Sequence, residues 1–229
     1  MRLFSQNPRK SEYEKTQIAR SRAKFKYCKV ANAHVRQWAD LVFDFEPEFT
    51  GPICCMGTRN GREIDLFRLN FFRRENRVLQ HLISICERRK AGWSDLIGSP
   101  LHWGRSDLAL VTDKSVFGVE INPDAKRADT LIGSFDDLPK DWSDTFSLIY
   151  TNSFDQSRDP VATANEWSRI LKPSGLVLIG FNDSPPSKTD PTGDLQYQDL
   201  LDLFPGEMLY YNKRGSNYSD ILIRSNKTS

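Results

Sequence analysis

The sequence has few of the residues that mark membrane-spanning, secreted or metal-binding proteins. It holds only 4 cysteines and 3 histidines among 229 residues. No apolar run approaches the roughly 20 residues of a membrane span. The segment Met1–Phe4 is not followed by the apolar core of a signal peptide. These absences exclude an integral membrane protein, and we expect a location in the cytoplasm.

The cysteines and histidines give no redox or metal-ligand spacing. No two cysteines form a CxxC pair, and the histidines are scattered along the chain. Two of the cysteines are adjacent in an apolar run, so their side chains should point to opposite faces of a strand. We predict buried, reduced thiols and no metal site. The residues concerned are Cys28, Cys54, Cys55, Cys86, His34, His81 and His102.

Composition and charge describe a globular protein with a basic N-terminal segment. Hydrophobic residues make up 38% of the chain and charged residues 27%, and the length suffices for one domain with an added arm. The net charge is +2, but residues 1–36 carry +8 and the remainder −6. Such an arm can bind nucleic acid or another polyanion, or it can be a solvated helix face. Both readings stay open.

Residues 8–45 place apolar side chains at three- and four-residue steps, which predicts one N-terminal helix. We take residues 1–50 as a basic helical arm and residues 51–229 as one domain. In that domain short apolar runs alternate with helical patterns, which predicts an α/β, Rossmann-like sheet of seven strands, mostly parallel, with an antiparallel edge hairpin. The predicted strands are 53–56, 115–120, 131–132, 146–151, 176–180, 207–211 and 219–224. The predicted helices are 62–70, 74–89, 160–171 and 195–203.

The spacing of these elements indicates an insertion. Only 13 residues separate Glu120 from Gly133, whereas 59 residues separate Gly61 from Glu120. A βαβ crossover does not need so long a connection. Residues 71–112, which include a loop-rich stretch at 92–105, are therefore predicted to be an insertion near the edge of the site.

Four candidate binding segments follow predicted strands. A glycine-framed turn, Gly57–Gly61, follows the first strand, and Glu120 closes the second. The segments 133–136 and 152–155 close the third and fourth. The carboxyl ends of parallel strands lie along one edge of a sheet, so these segments should converge. A carboxylate at the end of the second strand can accept hydrogen bonds from both ribose hydroxyls.

The sequence resembles the class I S-adenosylmethionine-dependent methyltransferases. The resemblance covers about residues 53–224 and is carried by the run Gly-Ser-Phe-Asp-Asp-Leu-Pro at 133–139, the strand Phe-Ser-Leu-Ile-Tyr-Thr at 146–151, and Ile-Leu-Lys-Pro-Ser-Gly-Leu at 170–176. It implies S-adenosylmethionine as the cofactor. Cys55 stands where that family usually has an acid, and Arg59 stands where it usually has a middle glycine.

By this resemblance the glycine turn would face the methionine part of the cofactor and Glu120 the ribose. Ser134 and Phe135 would face the adenine, and Asn152 the edge of the sulfonium site. The predicted cofactor contacts are Met56, Gly57, Thr58, Arg59, Gly61, Glu120, Ile121, Ser134, Phe135 and Asn152. An oxygen acceptor can also require a base. Asp155, after the fourth strand, is the first candidate for that base, and His102, in the insertion, is the second.

We predict methyl transfer to an oxygen of a small molecule or a sugar. Three alternatives compete with it. A degenerate methyltransferase fold that only binds ligands is supported by Cys55 and Arg59. A nucleic-acid methyltransferase is supported by the basic arm at 1–36. A nicotinamide-dependent oxidoreductase would need GxGxxG and an acid about 20 residues later, and this chain has neither. The oligomeric state stays open.

Overall fold

A computed structural model describes residues 10–25, 28–72, 115–214 and 217–228. The predicted helix 74–89, most of the predicted insertion 71–112, and His102 lie outside the described residues. Elements are numbered below in chain order over the described residues. Within these ranges no helix is both long and apolar enough to cross a membrane.

The sheet has seven strands in the order β3-β2-β1-β4-β5-β7-β6. Neighbouring strands from β3 to β5 pair in parallel, and β7 is antiparallel to both β5 and β6. This confirms the predicted Rossmann-like sheet with an antiparallel hairpin at one edge. The strands are β1 (Ile53–Met56), β2 (Val116–Glu120), β3 (Thr130–Ile132), β4 (Phe146–Thr151), β5 (Leu171–Asn182), β6 (Gly206–Arg214) and β7 (Tyr218–Ser225).

Five α-helices are described, and four of them contribute buried side chains to the two faces of the sheet. The helices are α1 (Lys10–Ala23), α2 (Asn32–Phe45), α3 (Arg62–Phe72), α4 (Pro160–Ile170) and α5 (Tyr197–Leu203). Helices α2 and α3 cover one face, where Trp38 and Phe67 pack with Tyr150. Helices α4 and α5 cover the other face, around Trp167. The predicted strand alternation holds for the cysteine pair, since Cys55 belongs to the first core and Cys54 to the second.

Helix α4 shows how local sequence sets an element's start. The Asp159 side chain accepts a hydrogen bond from the backbone N–H of Ala162 at 3.0 Å, and Pro160 occupies the first helical position. This is the predicted N-cap followed by a first-turn proline. Strand β5 begins at Leu171, five residues earlier than predicted, because Phe146 already pairs with Leu171.

The N-terminal segment is two helices and not the single helix predicted over 8–45. Helix α2 is amphipathic, and Val35, Trp38 and Val42 are completely or almost completely buried in the core. Helix α1 instead lies across the carboxyl edge of the sheet, where its contacts are mainly polar. A straight helix cannot follow both the face and the edge of the sheet, so the chain turns between them. The division into arm and domain at residue 50 stays a prediction, although α2 supplies part of the same core.

Candidate functional site

Strand register brings the four predicted segments to one edge of the sheet. Met56 pairs with Val119 on one side and with Thr151 on the other. Glu120 pairs in turn with Ile132. The residues that follow these strands therefore lie next to one another, as the parallel order requires.

The glycine turn between β1 and α3 is formed by residues in a left-handed conformation. Gly57 and Gly61 both have φ of +74°, and Arg59 has φ of +51°. A Cβ on Gly57 would lie 3.0 Å from Cβ of Ser153. A Cβ on Gly61 would meet the guanidinium group of Arg127, so this glycine has a packing role. Arg59 is tolerated in place of the usual glycine at a modest conformational cost, about 1 kcal/mol or more.

Glu120 at the end of β2 is buried and accepts three hydrogen bonds. The backbone N–H of Arg59 donates to its Oε2 at 2.7 Å. The Ser21 hydroxyl and the backbone N–H of Asn122 donate to its Oε1 at 2.9 Å and 3.1 Å. This carboxylate joins the glycine turn, the end of β2 and helix α1. A carboxylate offers about four acceptor sites, so one remains for a further donor.

The first cavity at this edge lies between α1 and the ends of β1, β2 and β3. Most of the predicted cofactor contacts line it, namely Gly57, Arg59, Glu120, Ile121, Ser134 and Phe135. Helix α1 contributes Tyr13, Gln17 and Ser21 to the same wall. The enclosed volume is about 50 Å³, whereas pockets for drug-sized ligands are typically ~300–1,000 Å³. Helix α1 therefore narrows the cavity in this conformation.

Polar contacts hold α1 over the cavity. The Gln17 side-chain amide donates to the carbonyl of Thr189 at 2.5 Å. Arg20 forms an ion pair with Asp190. Arg22 forms an exposed ion pair with Asp124 at 2.8 Å. Two of the arm's cations are thus paired with acids of the domain that follows.

A second cavity of about 270 Å³ adjoins the first and shares Gly57, Arg59 and Ser153 with it. The predicted contacts Thr58 and Asn152 line this second cavity, and so does the predicted base Asp155. Met56 and Gly61 line neither cavity. Met56 is completely buried in the core beside Cys54.

Asp155 lies in a short 3₁₀ turn (Phe154–Gln156) after β4 and is 9% exposed. The Asn182 side-chain amide donates to its Oδ2 at 3.1 Å, and its buried Oδ1 has no hydrogen-bond partner in the described structure. Burial raises the pKa of this carboxyl to about 6, with a further increase from Asp190 and an opposing effect of Lys29 and Arg20. A carboxylate with this pKa can accept a proton near neutral pH.

Glu63 is a buried acid of the site that the sequence analysis did not find. It lies in the first turn of α3, is 5% exposed, and accepts a hydrogen bond from the Asn152 side-chain amide at 2.8 Å. Burial raises the pKa of its carboxyl to about 7, and the hydrogen bond from Asn152 opposes this effect. Burial raises the pKa of the Cys55 thiol, and the charge of Glu63 adds to this effect, so α3 brings a carboxylate near Cys55. The sequence feature that could have indicated Glu63 is its position two residues after Gly61.

Comparisons with solved structures identify the fold. No family model and no curated protein sequence matches this chain. A TehB-like SAM-dependent methyltransferase from Corynebacterium glutamicum matches with a TM-score of 0.50 and 13% identity, over 94% of this chain and 99% of that one. The 1,6-didemethyltoxoflavin-N1-methyltransferase of Burkholderia thailandensis matches with a TM-score of 0.51 and 9% identity, over 97% and 93%. The chain has the class I methyltransferase fold.

The same fold also occurs in a protein whose described reaction is not methyl transfer. The [4+2]-cyclase SpnF matches with a TM-score of 0.50 and 12% identity, over 83% of this chain and 80% of that one. The methyltransferase fold therefore sets the position of a site in this chain, and the reaction must be argued from the residues there.

Proposed function

We propose that this protein transfers a methyl group from S-adenosylmethionine to an oxygen of a small molecule or a sugar. The observation that carries the proposal is the first cavity. One space in a methyltransferase fold is lined by Glu120, Ile121, Ser134 and Phe135 and by two residues of the glycine turn, Gly57 and Arg59. Bound S-adenosylmethionine supplies a methyl carbon made electrophilic by a positively charged sulfur.

The types of residue at this site are suited to binding S-adenosylmethionine. The buried Glu120 carboxylate can accept from ribose hydroxyls, and the Phe135 ring can pack on an adenine. Gly57 has no side chain and would let the backbone of the turn approach the methionine part closely. A ribose diol needs two acceptor sites on Glu120, and only one of about four remains. Ser21 is the donor most readily displaced, because it belongs to the separate helix α1, and α1 must then move aside.

Asp155 is the proposed base. Asp155 lines the second cavity, Asn182 donates to its Oδ2, and its Oδ1 is buried without a hydrogen-bond partner in the described structure. An acceptor hydroxyl that donates to this carboxylate would lose its proton to it as its oxygen is methylated. His102 stays a second candidate from the sequence. General-base assistance of this type contributes roughly 10²- to 10⁴-fold.

One observation bears on the binding-only fold, and another bears on the nucleic-acid methyltransferase. The narrow first cavity is compatible with a fold that binds ligands without catalysis. The ion pairs of Arg20 and Arg22 with Asp190 and Asp124 reduce the basic charge that α1 offers to a nucleic acid. Neither observation accounts for the buried, unpartnered oxygen of Asp155.

The test is methyl transfer with S-adenosylmethionine labelled in its methyl group. The purified protein is incubated with hydroxylated small molecules, with sugars and, separately, with DNA and RNA. Label in a small-molecule ether is the expected result. Label only in nucleic acid, or cofactor binding with no transfer to any acceptor, would contradict the proposal.

A further inference from the structure

The second cavity has an unusual lining for a ligand pocket. None of its described lining residues is an aliphatic or aromatic side chain apart from the exposed Pro185, and most of the others are charged or carry amides or hydroxyls. Small-molecule sites are mostly apolar with a few polar groups. An aromatic or aliphatic acceptor would bury apolar surface against polar groups and leave them without hydrogen bonds. The lining therefore favours a molecule that is polar over its whole surface.

The cavity wall repeats one arrangement, a buried carboxylate beside a side-chain amide. Asn152 donates to Glu63 at 2.8 Å, and Asn182 donates to Asp155 at 3.1 Å. An amide nitrogen has two N–H donors, and each carboxylate has several acceptor sites. A hydroxyl group both donates and accepts, so it matches such a pair with one group.

The charges of the lining argue against a cationic acceptor. Four cationic side chains (Arg20, Lys24, Lys29 and Arg59) line the cavity together with three carboxylates (Glu63, Asp155 and Asp190). Arg20 is paired with Asp190, and both Lys29 and Arg20 act on Asp155. The carboxylates thus already have positive neighbours inside the site. The four cations exceed the three carboxylates by one charge, so the lining disfavours an ammonium group relative to a neutral or anionic group.

We propose that the second cavity is the acceptor site and takes a small polyhydroxylated molecule, neutral or anionic, held by the Glu63–Asn152 and Asp155–Asn182 pairs. This inference rests on the proposed function and specifies its substrate class. It also gives Glu63 a role as a positioning residue for the acceptor. The hydroxyl to be methylated is the one at Asp155.

The test uses three hexoses of nearly equal size and different charge. Glucose, glucuronate and glucosamine are titrated by ligand-observed NMR into protein saturated with S-adenosylhomocysteine, whose own binding is first measured by calorimetry. Glucuronate and glucose should bind, and glucosamine should bind at least about tenfold more weakly than glucose. Tightest binding by glucosamine, or binding by none of the three to the loaded protein, would overturn the substrate class. Failure of S-adenosylhomocysteine itself to bind would instead overturn the proposed function.

Two isosteric variants locate the site. Glu63→Gln and Asp155→Asn should each weaken glucose or glucuronate binding by about tenfold, while the affinity for S-adenosylhomocysteine changes by less than about twofold. Glu207→Gln and Asp202→Asn, at exposed positions outside this cavity, are the matched controls and should change neither affinity. An equal loss of cofactor affinity in Glu63→Gln would assign Glu63 to the cofactor and refute its role toward the acceptor.

Discussion

The ionisation of buried Glu63 should make this protein less stable as the pH rises. Burial raises the pKa of its carboxyl from the ordinary 4.5 to about 7 in the folded chain. Between these two values the folded state holds a proton that the unfolded state has released. The free energy of unfolding therefore falls as the pH rises from about 4.5 to 7, and the loss is complete above 7. At ~1.36 kcal/mol for each pKa unit, the loss is about 3 kcal/mol.

The substitution Glu63→Gln removes this ionisation and keeps the shape and an acceptor for Asn152. At pH 8 the variant should be more stable than the parent protein by up to about 3 kcal/mol, and at pH 5 by less than about 1 kcal/mol. Urea unfolding at both pH values measures the difference, and other titrating groups cancel in the comparison. In the parent protein the exposed Glu207 carboxylate pairs with Arg224. Glu207→Gln is the control and should show no such change with pH.

The result that would refute this reasoning is a Glu63→Gln variant whose stability relative to the parent is the same at pH 5 and pH 8. A variant less stable at pH 8 would also refute it, because the carboxylate would then be held by stronger partners than the structure shows. A gain in stability together with a loss of acceptor binding would mark Glu63 as a residue kept for function at the expense of stability.

Three further predictions concern other parts of the chain. Asp155→Asn should lower turnover by at least about 10²-fold with little change in cofactor affinity, and steady-state kinetics would refute this if turnover were unaffected. Ser21→Ala should tighten S-adenosylhomocysteine binding by up to about tenfold, because it removes a contact between α1 and Glu120 with a net contribution of ~0.5–1.5 kcal/mol. Calorimetry measures the affinity, and Thr16→Ala on the exposed side of α1 is the control. Unchanged affinity in Ser21→Ala would show that α1 does not compete with the cofactor. Asp159→Ala should lower the free energy of unfolding by about 1 kcal/mol through loss of the α4 cap, and an unchanged urea midpoint would contradict it.

The parts of the fold that local sequence determines were predictable. The β4 strand occupies the predicted residues 146–151, and α4 starts at the predicted cap. In both cases the deciding residues lie within a few positions of one another. The convergence of the four strand ends at one edge of the sheet also followed from the sequence, because the carboxyl ends of parallel strands lie along the same edge.

The position of α1 was not predictable in the same way. Its contacts join residues far apart in sequence, such as Ser21 with Glu120 and Arg20 with Asp190. Its apolar pattern is weak, so periodicity carried no information about the surface it covers. The prediction extended one helix through residues 24–25 and 28–31, which are not helical, because periodicity cannot show where a chain must change direction at the edge of a sheet.

Glu63 was missed for a related reason. An acid in the first turn of a helix usually has a simple interpretation, a favourable interaction with the helix dipole. Only the packing of α3 against the end of β4 shows that this carboxylate is buried and bonded to Asn152. The sequence therefore predicted Asp155, which lies in the segment after β4, and did not predict Glu63 of the same cavity.

The central claim is that Glu120 and the glycine turn bind S-adenosylmethionine, and calorimetric titration tests it most directly. The parent protein should bind S-adenosylmethionine and S-adenosylhomocysteine with micromolar affinity and should not bind NAD. Glu120→Gln should bind both roughly 10- to 100-fold more weakly, the scale of a lost hydrogen bond to a charged group. A folded parent protein that binds neither compound, or a Glu120→Gln variant with unchanged affinity, would contradict the account.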